Sequence, residues 1–285
     1  MAHQPFHLPE RQALFSTDSR PDAPPEGERW STWDVATHGP TPRPDWVITD
    51  LGAVEADLGI LKSGKEADVH VVRRWVPGTE RTTLLAAKRY RSADHRMFHR
   101  DAGYLEGRRV RRSREMRAMA RRTNFGKELI TGQWAFAEFD ALAKLWQMGL
   151  PVPYPVQLDE SEMLMEFIGA IGPEGPMAAP RLHQVRREEA DLPDLWVQFE
   201  DLVLRLAEAG WAHGDLSPYN LLVDDGRLVA IDWPQIVDVI GNPQGFEFLN
   251  RDVANVCSWF ARKGVVVDPE DLFGRAASLA ASSEF

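Results

Sequence analysis

The period of the apolar positions changes several times along this chain, and each change marks an element. From Leu61 to Val72, Leu-Lys-Ser-Gly-Lys-Glu-Ala-Asp-Val-His-Val-Val places a glycine turn before an alternating, β-branched stretch. That is the pattern of a half-buried strand. Thr83-Leu-Leu-Ala-Ala-Lys-Arg89 is a second short apolar run, ending in a lysine behind small residues. Between Gly132 and Met148 the period lengthens, with Trp134, Ala135, Glu138, Leu142, Leu145 and Trp146 at three- and four-residue spacing. The spacing predicts a helix with Glu138 on its apolar face. Gly149 ends it, Pro151, Pro153 and Pro155 follow, and Met163–Gly169 reads as a buried strand with a flexible exit.

The second half turns helical. Leu192–Ala209 has helical spacing, Asp191 as N-cap, Pro193 in the first turn and Gly210 as its stop. Phe246–Phe260 predicts another amphipathic helix, and Asp268-Pro-Glu-Asp271 caps a last one with acids where the helix dipole favours them. Between these helices, Leu221-Leu-Val223 and Leu228-Val-Ala-Ile231 flank Asp224-Asp-Gly226, a hairpin signal. Residues 1–48, rich in Pro, Asp, Glu, Ser and Thr, read as a largely disordered tail, with Trp30, Trp33 and Trp46 as the residues that could dock it on the folded body. Strands around one main helix followed by a mostly helical half make the class α+β.

A hairpin brings its two ends together, so Asn220 and Asp232, which flank this one, should be neighbours. Two hard oxygen ligands at a hairpin mouth suit Mg2+, which keeps waters and substrate phosphates in its other positions. Asp215, five residues before Asn220, is then placed to meet an incoming hydroxyl or water. His213-Gly-Asp-Leu-Ser-Pro-Tyr-Asn220 followed by Asp232 matches the order of a kinase catalytic loop and its metal-binding acid. His213 reads as a structural residue of that loop. Lys88 is the candidate point charge for nucleotide phosphates, and Glu138 its ion-pair partner, because a carboxylate on an apolar face needs one. In a two-lobed kinase the exit from the Met163–Gly169 strand would be the hinge, with the backbone near Glu166 and Ile168 on the adenine edge; the sequence alone makes it an apolar strand and a flexible exit.

The chain has 285 residues, 44% of them hydrophobic, enough for two lobes with a cleft between them. The single cysteine, Cys257, rules out an intrachain disulfide framework and points to a reducing compartment. No apolar run approaches a membrane span and the N-terminus lacks a signal-peptide pattern, so the expectation is a cytoplasmic protein without a membrane partner. A formal net charge of −10 argues against a wholly basic surface. Arginines nevertheless crowd residues 89–122, within the 89–127 connection between the Lys88 strand and the Glu138 helix. That run is either an RNA-phosphate contact or a solvated loop.

On these motifs the chain resembles the RIO-type atypical serine/threonine protein kinases, in the branch without an N-terminal winged helix. The motifs are Ser63-Gly-Lys-Glu-Ala-Asp-Val69, Lys88, Glu138, Met165-Glu-Phe-Ile168, the His213–Asn220 loop, Ile231-Asp-Trp-Pro-Gln235 and Phe248-Leu-Asn-Arg-Asp-Val-Ala-Asn-Val256. The resemblance implies a reduced bilobal kinase fold, with an N-lobe over 49–168 and a C-lobe over 169–285. Trp233-Pro234 in place of Phe-Gly, and no Ala-Pro-Glu before the next helix, agree with a missing activation segment. It further implies ATP and Mg2+ as cofactors, with the loop of Ser63, Gly64, Lys65 and Glu66 on the nucleotide and Lys88 paired with Glu138. Asp215 would be the catalytic acid/base, with Asn220 and Asp232 on the metal. In relatives the metal-binding acid itself can accept the phosphoryl group, and ATP hydrolysis acts as a switch in small ribosomal subunit maturation; a ribosomal subunit, RNA or protein substrate is the implied partner. Small-molecule phosphotransferases of the aminoglycoside and choline kinase type share part of the motif. That alternative predicts an acidic substrate pocket, for which Glu188, Glu189, Asp191 and Asp194 are the candidates.

Overall fold

The computed structural model describes residues 23–91, 124–233 and 236–283. The expected RNA-contacting arginines from Arg96 to Arg122 lie outside the described residues, whereas Arg89 and Arg91 lie within them.

Seven strands form an antiparallel sheet: β1 (Arg29–Trp30), β2 (Thr37–His38), β3 (Val54–Ser63), β4 (Ala67–Trp75), β5 (Thr82–Tyr90), β6 (Pro155–Asp159) and β7 (Glu162–Glu166), in the order β1-β3-β4-β5-β7-β6-β2. The two edge strands are joined by residues 31–36 alone, which reach at most about 25 Å when extended. The sheet is therefore curled, with its edges drawn toward each other. Helix α1 (Asn124–Gln147) packs on β6 and β7, and its Phe139, Leu142 and Leu145 enter the main core. The chain then forms two hairpins, β8–β9 (Gly169–Gly172, Gly175–Ala178) and β11–β12 (Leu221–Asp224, Arg227–Ala230). Around the second lie helices α2 (Leu192–Glu208), α3 (Gly245–Arg262) and α4 (Pro269–Ser282), with the short pair β10 (Trp211–Ala212) and β13 (Val237–Asp238) beside them. Asp191 and Asp268 cap α2 and α4 through their side chains, as the sequence pattern predicts. Among the described residues no helix is long and apolar enough to cross a membrane.

Residues 23–48 depart from the expected loose tail. Trp33 is buried and stacks on His38 with ring centroids 3.8 Å apart, while Trp46 meets Tyr154 edge-on at 5.9 Å. A Cβ on Gly39 would lie 1.8 Å from the Pro155 carbonyl oxygen, so only glycine lets the segment pass this close to β6. Composition undervalued the segment because two aromatic anchors, Trp33 and Trp46, and the pairing at both sheet edges offset its ordering entropy. Beneath it Arg74, fully buried, donates to Glu55, to the Ile48 carbonyl (3.1 Å) and to Gln157 (2.6 Å). These bonds tie β3, β4, β6 and the N-terminal segment together.

Candidate active site

The β11–β12 hairpin does what its Asp-Gly turn predicts. Leu221 pairs with Ala230, and the Ile231 N–H donates to the Asn220 carbonyl at 2.9 Å, so Asn220 and the residues entering Asp232 become neighbours. Asp232 itself takes a positive φ of 67°, an uncommon conformation for a residue other than glycine. Its side chain is 40% exposed, and its Oδ1 accepts from Lys88 Nζ at 2.8 Å. Lys88 Nζ also lies 2.7 Å from both oxygens of Glu138, which is buried on the apolar face of α1. The expected Lys88–Glu138 pair is present, and Asp232 joins it.

Burial opposes the charge on Lys88, but the two carboxylates outweigh it and hold the ammonium well above its usual pKa. Burial likewise opposes the charge on Asp232, and Lys88, its hydrogen bond and Lys62 reverse the balance, so the carboxyl titrates below its ordinary value. Tyr90 completes the cluster from the same face of β5 as Lys88, donating its hydroxyl to Glu138. Burial, followed by the Glu138 charge, drives this phenol well above the ordinary pKa, which keeps the proton on the donor.

The catalytic loop is held from behind. Asp252, on α3 and 2% exposed, accepts from the Gly214 N–H (2.7 Å) and the Leu216 N–H (2.8 Å), gripping the backbone on both sides of Asp215. Asn255 donates to the Leu216 carbonyl at 3.2 Å. His213 Nδ1 accepts from the Asp215 N–H, so its Nε2 carries the proton toward the Ile231 carbonyl at 3.2 Å. The ring also packs against Trp233. His213 therefore joins the loop to the hairpin exit, the structural place expected for it. Asp215 is left exposed to the cleft. Asn220 gives its Nδ2 to the Asp215 carbonyl at 3.0 Å, which leaves Oδ1 as the atom that could hold a cation.

A cleft of about 760 Å³ runs between the curled sheet and the hairpin, lined by Gly64, Lys65, Glu66, Lys88, Glu138, Glu166, Ile168, Asp215 and Asp232. At its apolar end lie Ala86, Met165, Ala179, Leu222 and Ile231, a slot for a flat ring. Ser63 and Asn220, both expected at the site, do not line it. The Ser63 hydroxyl instead donates to Asp68 at 2.6 Å and accepts from Arg91 at 2.7 Å, a competing ion pair that spacing could not reveal. At the hinge, the Glu166 N–H donates to the Tyr154 carbonyl and the Ile168 carbonyl accepts from Ala179, so those two groups are already engaged. The donor set suits a hard cation: one carboxylate and one amide oxygen, neighbours by virtue of the hairpin, with room in the cleft for phosphate oxygens.

A RIO domain model matches residues 79–272. The chain belongs to the RIO family of serine/threonine-protein kinases. It is 33% identical over 224 residues to the RIO-type serine/threonine-protein kinase Rio1 of Haloferax volcanii, covering 78% of this chain and 69% of the relative. It is 26% identical to the serine/threonine-protein kinase RIO3 of Mus musculus, covering 96% of this chain and 52% of that protein, so it spans about half the length of RIO3. The solved Rio2 kinase–ADP/Mg2+–phosphoaspartate complex from Chaetomium thermophilum aligns with a TM-score of 0.51 at 22% identity, covering 79% of this chain and 65% of that one. That likeness shows the fold, the bilobal α+β kinase architecture expected from the motifs.

Sequence reasoning assigned no role to two residues of this RIO site. Asp252 stood in a quoted motif, and only tertiary packing reveals which loop it grips. Tyr90 could have been found, since positions two apart in a strand share a face and Tyr90 follows Lys88 by two.

Proposed function

We propose that this RIO protein is an ATP- and Mg2+-dependent phosphotransferase with an ATPase cycle, acting on protein Ser/Thr or on its own Asp232. The observation that carries the reading is the convergence of Lys88, Glu138, Asp232 and Asp215 on one cleft with an apolar slot at its far end. In this reading the adenine occupies the slot, and the Ile168 N–H meets its edge. The backbone of Gly64 and Lys65 lies over the phosphates, and Lys88, fixed by Glu138 and Tyr90, neutralises them. Asn220 Oδ1 and Asp232 would hold Mg2+, which screens the developing negative charge.

For a hydroxyl acceptor, its oxygen forms the new bond to the γ-phosphorus as the bridging bond to the β-phosphate breaks. ADP leaves, and the hydroxyl proton passes to Asp215. For Asp232 as acceptor, a carboxylate oxygen attacks without proton loss and gives an acyl phosphate, which water then hydrolyses. Supporting a ribosomal or RNA partner is the concentration of arginines over 89–122 in a chain of net charge −10. Of the residues that small-molecule phosphotransfer would need for an acidic pocket, Asp191 caps α2 and Glu189 accepts from the Arg186 N–H, and none of Glu188, Glu189, Asp191 and Asp194 lines the cleft, which favours the first reading.

The test is ATP turnover by the purified chain with Mg2+, with and without ribosomal subunits and a generic Ser/Thr protein, followed by hydroxylamine treatment of any protein-bound label. Hydroxylamine-labile label with stimulation by subunits supports the Asp232 switch; stable label on serine, or transfer to the added protein, supports a protein kinase. Absence of Mg2+-dependent turnover in all arms refutes the reading.

A further inference from the structure

Two cations at the cleft stand outside every role assigned above. Arg181 follows β9 and is bridged to Leu222 beneath the slot, whereas Lys62 lies near the end of β3 in the sheet above. Both line the cleft. Elsewhere in the sheet the arginines are matched: Arg29 to Glu55 and Glu162, Arg74 to Glu55, Arg89 to Asp57 and Glu162, and Arg91 to Asp68. Among the described residues Arg181 makes no ion pair, and its guanidinium donates only to the neutral Tyr219 carbonyl, one residue before Asn220. The Lys62 side chain has neither an ion pair nor a hydrogen-bond partner among them.

Their charges feel one another. Burial first, then the positive charge of Arg181, lowers the Lys62 pKa, and Asp232 offsets this only in part; burial lowers Arg181, again with Asp232 opposing. Two unmatched cations from opposite lobes, repelling each other across a cavity beside a carboxylate, form a site that gains stability when an anion arrives. Both line the same cleft as Asp232, and Arg181 holds the Tyr219 carbonyl one residue before Asn220, which puts them beside the expected phosphate site. A guanidinium presents a planar fork of donors that matches phosphate oxygens.

We propose that Arg181 and Lys62 form a clamp across the cleft mouth that grips the phosphate chain of the bound nucleotide. The clamp rests on the nucleotide reading given above. It adds a C-lobe ligand to a set drawn otherwise from the sheet, α1, the catalytic loop and Asp232, and it gives the two lobes a reason to close when a polyphosphate binds.

The experiment is equilibrium binding of adenosine, ADP and the β,γ-imido analogue of ATP, each with Mg2+, to the full chain and to Arg181→Leu, Arg181→Lys and Lys62→Met. Arg181→Leu should weaken ADP and the imido analogue about tenfold, the scale of one charge-assisted hydrogen bond, and leave adenosine within about twofold. Arg181→Lys should recover part of the loss. Lys62→Met, at an exposed position, should show the same phosphate-selective loss at about threefold. Equal weakening of adenosine, or no weakening of ADP in either replacement, overturns the clamp. If the unaltered chain binds none of the three ligands, the nucleotide reading itself is refuted, a result distinct from failure of the clamp.

Discussion

The protein holds two buried ionic clusters of similar bond length and opposite design. Around Arg74 the guanidinium and Glu55 side chains are 0% and 1% exposed, Gln157 and the Ile48 carbonyl take the remaining donors, and the one exposed partner, Arg29 at 43%, lies at the sheet edge and does not line the cleft. Around Lys88 the cluster is open at one end, since Glu138 is 1% exposed but Asp232 is 40% exposed and faces the cleft. The Arg74 cluster, whose exposed end lies away from the cleft, holds strands together. The open one can trade a partner, because a cation or phosphate arriving in the cleft competes with the Lys88–Asp232 contact while Glu138 keeps the lysine in place. Burial alone thus does not separate a structural charge from a functional one; whether the exposed partner faces the cleft does.

The widest contrast should come from Asp232→Asn, which is expected to reduce Mg2+-dependent turnover about 100-fold or more while the melting temperature changes little. Turnover within about tenfold of the unaltered chain would mean that the open cluster is not the reaction centre. Arg74→Met should do the reverse. It leaves Glu55 buried without its main partner and should cost about 3 kcal/mol in chemical denaturation, with turnover per folded molecule nearly unchanged at low temperature. A loss of turnover beyond the loss of folded protein would erase the distinction between the clusters.

A smaller effect sharpens the open cluster. Tyr90→Phe deletes the hydroxyl that steadies Glu138, and turnover should fall about fivefold, the scale of a hydrogen bond to a charged group. An unchanged rate would show that Lys88 and Asp232 alone position Glu138. The least effect belongs to a surface pair at the rim of the sheet. Burial would raise Asp57, but the Arg89 guanidinium, the Gly59 N–H and His70 hold it down from 3.8 to about 2. A carboxyl depressed in the folded state stabilises above its unfolded pKa, and this stability is lost as pH falls through the folded value. Acid unfolding of the unaltered chain should therefore carry an Asp57 contribution between pH 3.8 and about 2 that Asp57→Asn removes. Superimposable profiles would show that the contact is solvated away.

Much of the site was open to sequence reasoning because its residues lie close along the chain. Asp215, Asn220 and Asp232 are carried by one loop and one Asp-Gly hairpin, so local turn chemistry sets their proximity. Lys88 and Glu138 were paired from opposite directions, a charge ending an apolar strand and a carboxylate on an apolar helix face. Strand β3 was less visible, since register shifts near Gly59 and Ile60 break its alternation and leave Leu58, Ile60 and Leu61 exposed. The β8–β9 hairpin consists of small residues with no periodicity to detect, and the edge strands β1 and β2 are two residues each.

By itself, then, the sequence determined the family motifs, the α+β class, the helices with their Asp191 and Asp268 caps, and the catalytic hairpin, because each depends on spacing within a few turns of chain. Tertiary structure alone decided that residues 23–48 close both edges of the sheet, that Asp252 grips the loop around Asp215, that Ser63 belongs to Asp68 and Arg91, and that Arg181 and Lys62 line one cleft with no ion pair among the described residues. Each of these is a contact between residues far apart in sequence. Its energy depends on which groups are buried together, and no local pattern of residue types encodes that.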